Sequence, residues 1–157
     1  MKELPVRKSI RLNNYDYSNT GYYFITICVK DRHELLWNEP VGTRIARPSL
    51  SGIGEVVEKA IENIHKIYEF VGIDKYVVMP NHIHMIITIR NDGRTQFAPT
   101  ISRIIKQFKG LITKQIGFSI WQKSFHDHII RDEAEYQRIW QYIDENSLTW
   151  EKYCYYV

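Results

Sequence analysis

The sequence predicts an α+β fold on a four-stranded antiparallel sheet. Three observations carry this: two apolar, β-rich runs meet at Pro80-Asn81, an amphipathic helical stretch lies on each side of that hairpin, and the elements run β-α-β-β-α-β before a last helix. That order is the split βαβ, ferredoxin-like topology, in which two helices cover one face of the sheet and leave the other for a site.

Each element has its own signal. After a polar, basic lead (Arg7, Lys8, Arg11, Asn13, Asn14), the aromatic and β-branched run Tyr22 to Val29 reads as the first strand. Residues 38 to 52 hold Pro40, Gly42, Pro48 and Gly52 and read as a loop, with Ser51 as cap of the next helix. From Ile53 to Phe70, Val56, Ala60, Ile64 and Ile67 recur at helical spacing among Glu55, Glu58, Lys59 and Glu62. Ile73 to Met79 and His82 to Arg90 form the second and third strands, and Asn91-Asp-Gly-Arg a turn. Thr100 caps a helix to about Ile116 whose apolar positions are Ile101, Ile104, Ile105, Phe108, Leu111 and Ile112 and which ends at Gly117. Phe118 to Trp121 is then expected as the fourth strand, and Asp132 with Glu135 resembles a capping box for a helix over 132–146.

At 157 residues and 44% hydrophobic, the chain is expected to form one domain spanning residues 1–157. The net charge of +3 and pI of about 8.8 permit a nucleic-acid partner without requiring one. Cys28 and Cys154 have neither a metal-cluster spacing nor the look of a disulfide framework, which suits a reducing compartment. No apolar run approaches the roughly 20 residues of a membrane span, and Met1-Lys-Glu-Leu-Pro lacks the apolar core of a signal peptide. A cytoplasmic location is expected.

The chemistry concentrates at His82-Ile83-His84. Side chains on a strand alternate faces, so the two imidazoles point the same way, about 6.6 Å apart along the strand, and can share one metal ion. A second His-x-His, His126-Asp127-His128, precedes the last helix; hydrogen bonding or a DNA contact suits it better than ligation, because no tyrosine and amide are tied to it by spacing. On a helical wheel of 132–146, Tyr136, Ile139, Trp140 and Ile143 form the apolar stripe and are expected in the core. Tyr142 lies off that stripe. Asn146, four residues on, shares its flank, so a phenol and an amide project together.

Together, Val77-Val-Met-Pro-Asn-His-Ile-His84, Trp121 to Arg131 and Gln141-Tyr-Ile-Asp-Glu-Asn146 resemble the REP-associated tyrosine transposases, members of the single-tyrosine HUH transposase superfamily. Arg7-Lys-Ser-Ile-Arg-Leu and Tyr22-Tyr-Phe-Ile-Thr also fit, so the likeness spans nearly the whole chain. It implies a ferredoxin-like endonuclease whose last helix carries the nucleophile Tyr142, with His82 and His84 as metal ligands and Asn146 as the third. Ser147 departs from the proline usual there, which removes no reacting group.

What the resemblance implies is metal-dependent cleavage and rejoining of single-stranded DNA through a covalent 5′-phosphotyrosine, with Mg²⁺ or Mn²⁺ and no nucleotide cofactor. A phenol with an ordinary pKa of about 10 is a weak nucleophile at neutral pH, so charge must be stabilised as it develops. On ligand type alone, two imidazoles would favour Mn²⁺ or Zn²⁺ over Mg²⁺. The partner is expected to be a hairpin or palindromic repeat, bound by a monomer or homodimer. Arg7, Lys8, Arg11, Arg103, Lys106, Lys114, His128 and Arg131 are the candidate DNA contacts. The competing reading is a non-catalytic single-strand binder that keeps an RRM-like sheet and uses Tyr22, Phe24 and the basic helix. A metallohydrolase barrel is disfavoured, since it needs about 250 residues.

Overall fold

A computed structural model describes residues 21–38, 49–90 and 99–146. Arg7, Lys8, Arg11, most of the 38–52 loop, the 91–94 turn and Ser147 lie outside the described residues.

The elements are β1 (Gly21–Cys28), a 3₁₀ turn (Lys30–Arg32), α1 (Gly52–Glu62), α2 (Ile64–Ile67), β2 (Val71–Val78), β3 (His82–Ile89), α3 (Ile101–Ile116), β4 (His126–Ile130) and α4 (Glu133–Asn146). The strands form one antiparallel sheet in the order β2-β3-β1-β4. The predicted ferredoxin-like arrangement is the one observed.

Strand periodicity divides the sheet into two faces. Tyr23, Ile25 and Ile27 of β1 and Ile83, Met85, Ile87 and Ile89 of β3 point into the main core, where α1 contributes Val57 and Ile61 and α3 contributes Ile101, Ile104, Ile105, Phe108 and Ile112. On the other face α4 packs through Ile143, Ile139 and Tyr136 against Ile86, Ile130, Phe24 and Val77. The histidine pair therefore lies on the face that α4 only partly covers.

Caps fall where side-chain chemistry places them. Ser51 Oγ accepts from Gly54 N–H at 3.0 Å and Thr100 Oγ1 from Arg103 N–H at 3.2 Å. Gly117 closes α3 at φ 91°, a left-handed conformation that glycine adopts without strain. Asp132 Oδ1 accepts from Glu135 N–H at 2.8 Å, whereas the Glu135 carboxylate reaches Arg131 N–H at 3.0 Å, so the capping box is displaced by one residue.

Four expectations are corrected. The fourth strand is His126–Ile130, not Phe118 to Trp121: Trp121 makes a single bridge to Val29, and Phe118 is exposed. The helix expected over 53–70 stops at Glu62, and after Asn63 continues only as the short α2. Its buried stripe is Val57, Ile61 and Ile64, while Ile67 is exposed. Close approach explains the rotation, since a Cβ on Gly54 would stand 2.0 Å from the Leu36 carbonyl oxygen; the helix rests its glycine on that backbone. Finally, Trp140 is exposed, with Lys75 Nζ 4.0 Å from its ring centroid, and Tyr136 is only partly buried, its hydroxyl donating to Asp74 at 2.9 Å.

Candidate active site

His82 opens β3 and His84 follows on the same face, their ring centroids 4.6 Å apart and the planes inclined at 71°. Each ring is held on its Nδ1 side. His82 Nδ1 donates to Asn81 Oδ1 at 2.7 Å, and His84 Nδ1 is hydrogen-bonded to Thr26 Oγ1 at 2.8 Å. Thr26 is the residue opposite His84 in the β1–β3 register, so the strand pairing itself supplies the contact. Phe24 stacks on His84 at 5.3 Å and closes that side with apolar surface.

Burial decides the charge of the pair. Desolvation, reinforced by the nearby Arg32 guanidinium, lowers the His82 pKa to about 4. Desolvation and the neighbouring His82 lower that of His84 to about 3. Both imidazoles are therefore neutral at pH 7, the form that binds metals. Two neutral rings on one face, each anchored through Nδ1 by a polar neighbour, have the character of a metal-ligand pair with its supporting hydrogen bonds. Among the described residues no cluster of three or more His, Cys, Asp or Glu could hold a metal. The amide oxygen of Asn146, a residue buried at the end of α4, is a neutral donor outside those four residue types.

Tyr142 is brought to this pair. Its ring centroid is 5.4 Å from that of His84 and 6.2 Å from that of Phe24, edge-on to both. The helix sets this position because Ile143, the next residue, is buried against Ile86, two residues beyond His84 on the same face of β3. Tyr142 nevertheless stays 47% exposed, on the face that α4 only partly covers. Asn146 is buried one turn later, at the end of α4. Tyr136 belongs elsewhere: it meets Tyr22 edge-on at 5.2 Å and is hydrogen-bonded to Asp74, and burial with that carboxylate raises its pKa to about 12.

The remaining sequence candidates divide by face. His128 faces the same side as Phe24 and is paired with the Glu135 carboxylate, while Arg131 lines a shallow pocket of about 350 Å³ with Tyr22, Ile130 and Tyr136. Arg103, Lys106 and Lys114 are on α3, whose apolar side covers the opposite face of the sheet. They do not join the His82, His84 and Tyr142 group. Sequence reasoning missed Thr26 and Asn81, although the polar Thr26 within an apolar strand was a signal for the first.

Comparison with known proteins gives the family. The model of the family described as "Transposase IS200 like" matches residues 17–146. A Haemophilus influenzae protein described as uncharacterized is 36% identical over 93% of this chain and 91% of its own length. The REP-associated tyrosine transposase of Escherichia coli K12 is 28% identical over 84% of this chain and 69% of its own. Among solved structures, a REP-associated tyrosine transposase bound to a REP hairpin superposes with a TM-score of 0.66 at 23% identity, covering 88% of this chain and 73% of that one. Its likeness is one of fold. With the family model covering most of its length, the chain belongs to the IS200-like transposases, enzymes that cut and join DNA.

Proposed function

We propose that the chain cleaves and rejoins single-stranded DNA through a covalent 5′-phosphotyrosine at Tyr142, with His82, His84 and Asn146 holding a divalent ion, Mn²⁺ or Mg²⁺. The observation that carries this reading is the approach of an exposed tyrosine to a neutral histidine pair, His84 buried and His82 half-buried, across two elements nearly sixty residues apart in sequence.

When bound, the ion offsets negative charge that builds on the phosphate. The chain does the rest. α4 positions the Tyr142 oxygen to attack phosphorus, and the phenol proton leaves to the solvent that reaches the ring. The P–O3′ bond breaks, its electron pair stays on the departing 3′-oxygen, and that oxygen takes up a proton. The phosphodiester is conserved as a tyrosyl ester, so a 3′-hydroxyl can reverse the step without a nucleotide cofactor. A hairpin-bearing strand suits the site, since a relative of the same fold is bound to a REP hairpin.

The test is incubation with labelled hairpin-bearing single strands and Mn²⁺. The expected result is a protein–DNA adduct that EDTA suppresses and Tyr142→Phe abolishes. Binding that survives both, with no adduct from the unmodified protein, would identify a non-catalytic single-strand binder instead.

A further inference from the structure

α4 carries Tyr142 on a narrow apolar stripe, in which Tyr136, Ile139 and Ile143 pack on Phe24, Val77, Ile86 and Ile130. A stripe that narrow seats a helix but fixes its roll about its own axis only weakly. An irregularity in β2 supplies polar contacts beside the stripe. Ile73 pairs with Ile87 and Lys75 with Ile86, so Asp74 is an extra residue that bulges the strand. Lys75 therefore lies opposite Ile86, on the face that α4 covers, although Ile73 lies opposite Ile87 of the main core. Bulges re-aim side chains in this way, and they collect beside active sites.

Lys75 grips α4 at two points. Its Nζ donates to Asp144 Oδ1 at 2.6 Å and stands 4.0 Å from the ring centroid of Trp140. Trp140 and Asp144 are neighbours one turn apart on the helix, and Tyr142 lies between them in sequence. At about 100° per residue, Tyr142 stands about 200° from Trp140 and about 160° from Asp144, so the grip and the tyrosine occupy opposite flanks of the packed stripe. The hydrogen bond from Tyr136 to Asp74, by contrast, lies near the start of α4, away from the turn that carries Tyr142. Lys75 holds that turn.

Deepening the nuclease reading, on which it rests, we infer that Lys75 is a positioning residue: its contacts with Trp140 and Asp144 set the roll of α4, and so the place of Tyr142 beside His84. A side-chain end about 5–6 Å from a helix axis moves by about 1 Å when the helix rolls by about 10°. Misplacement of a reacting group by about 1 Å costs about 100-fold in rate. The fold itself has little need of the contact, because an ion pair whose carboxylate side chain is 52% exposed adds little stability. Its consequence is geometric.

The experiment uses Lys75→Met, which keeps an unbranched stem without the charge, and Asp144→Asn, which neutralises the partner at an exposed position. With saturating hairpin-bearing single strand and Mn²⁺, each should slow adduct formation by about 10- to 100-fold, and the two losses should not add in the double variant. Lys75→Arg should recover part of the rate. In a Tyr142→Phe background, Lys75→Met should leave unchanged the affinity for an uncleaved strand, its salt dependence, Mn²⁺ affinity and melting temperature. A 3-fluorotyrosine placed at position 142 gives a reading that needs no DNA: its ¹⁹F resonance should shift or broaden in Lys75→Met and return toward its original place in Lys75→Arg. Unaltered rates in both Lys75→Met and Asp144→Asn, or losses that add, would overturn the assignment. So would a salt dependence reduced by about one phosphate in Lys75→Met, the mark of a lysine that touches DNA. If the unmodified protein forms no adduct, the nuclease reading fails, while the ¹⁹F resonance, moved or unmoved by Lys75→Met, still decides for or against Lys75 as the residue that places Tyr142.

Discussion

Lowering the pH from 7 to 5 should destabilise the metal-free protein through two residues. The folded-state pKa values of His82 and His84 are pushed down to about 4 and about 3, against an ordinary histidine value of about 6.5. The depressed values fix the sign: the unfolded chain takes up two protons below about pH 6.5 that the folded chain refuses until about pH 4 and 3. Stability from the neutral pair is thus complete above about pH 6.5 and falls progressively below it. Over the 1.5 pH units from 6.5 to 5, each imidazole loses about 2 kcal/mol, or about 4 kcal/mol for the pair. Urea unfolding followed by tryptophan fluorescence, in EDTA at pH 7 and pH 5, measures it. The comparison is with His82→Gln/His84→Gln, which keeps polar side chains but removes the titration. The unsubstituted protein should lose several kcal/mol more than the double variant between the two pH values. Equal losses would refute the claim that the imidazoles are desolvated and neutral.

Two further substitutions probe the site's construction. Thr26→Val removes the hydroxyl that holds His84 Nδ1 and should weaken Mn²⁺ binding by about 10- to 100-fold in calorimetric titration, with little change in the fold. Unchanged affinity would show that Thr26 does not orient the ligand. Tyr136→Phe breaks the hydrogen bond to Asp74 and should leave covalent adduct formation at the unsubstituted rate, whereas loss of the adduct would make Tyr136 the nucleophile.

The site was legible in the sequence where a short periodicity controls it. His82 and His84 share a face because strands alternate, and Tyr142 stands apart from Ile143 because a helix turns by 100° per residue. Contacts that close only in three dimensions were not legible. Thr26 is 58 residues from His84, and the link from Asn81 to Arg32 depends on a turn that the sequence does not mark with glycine. The misplaced fourth strand has a similar origin. Phe118 to Trp121 is the more apolar run, but β4 is an edge strand whose exposed His126 and His128 point to the partly open face, so its alternation is polar where a core strand would be apolar. Tyr136 and Trp140 obey the wheel but not the burial expected of it, because Asp74 and Lys75 of β2 engage them at the edge of α4.

The central claim is that Tyr142 is the residue that becomes joined to DNA. Trapping the reaction of a hairpin-bearing single strand with Mn²⁺, digesting the protein and sequencing the modified peptide by mass spectrometry tests it directly. The account predicts a nucleotide linked through its 5′-phosphate to Tyr142 in the peptide containing Gln141-Tyr-Ile-Asp-Glu-Asn146. A phosphotyrosyl linkage at Tyr136 or any other tyrosine, or cleaved DNA with no covalent peptide, would contradict it.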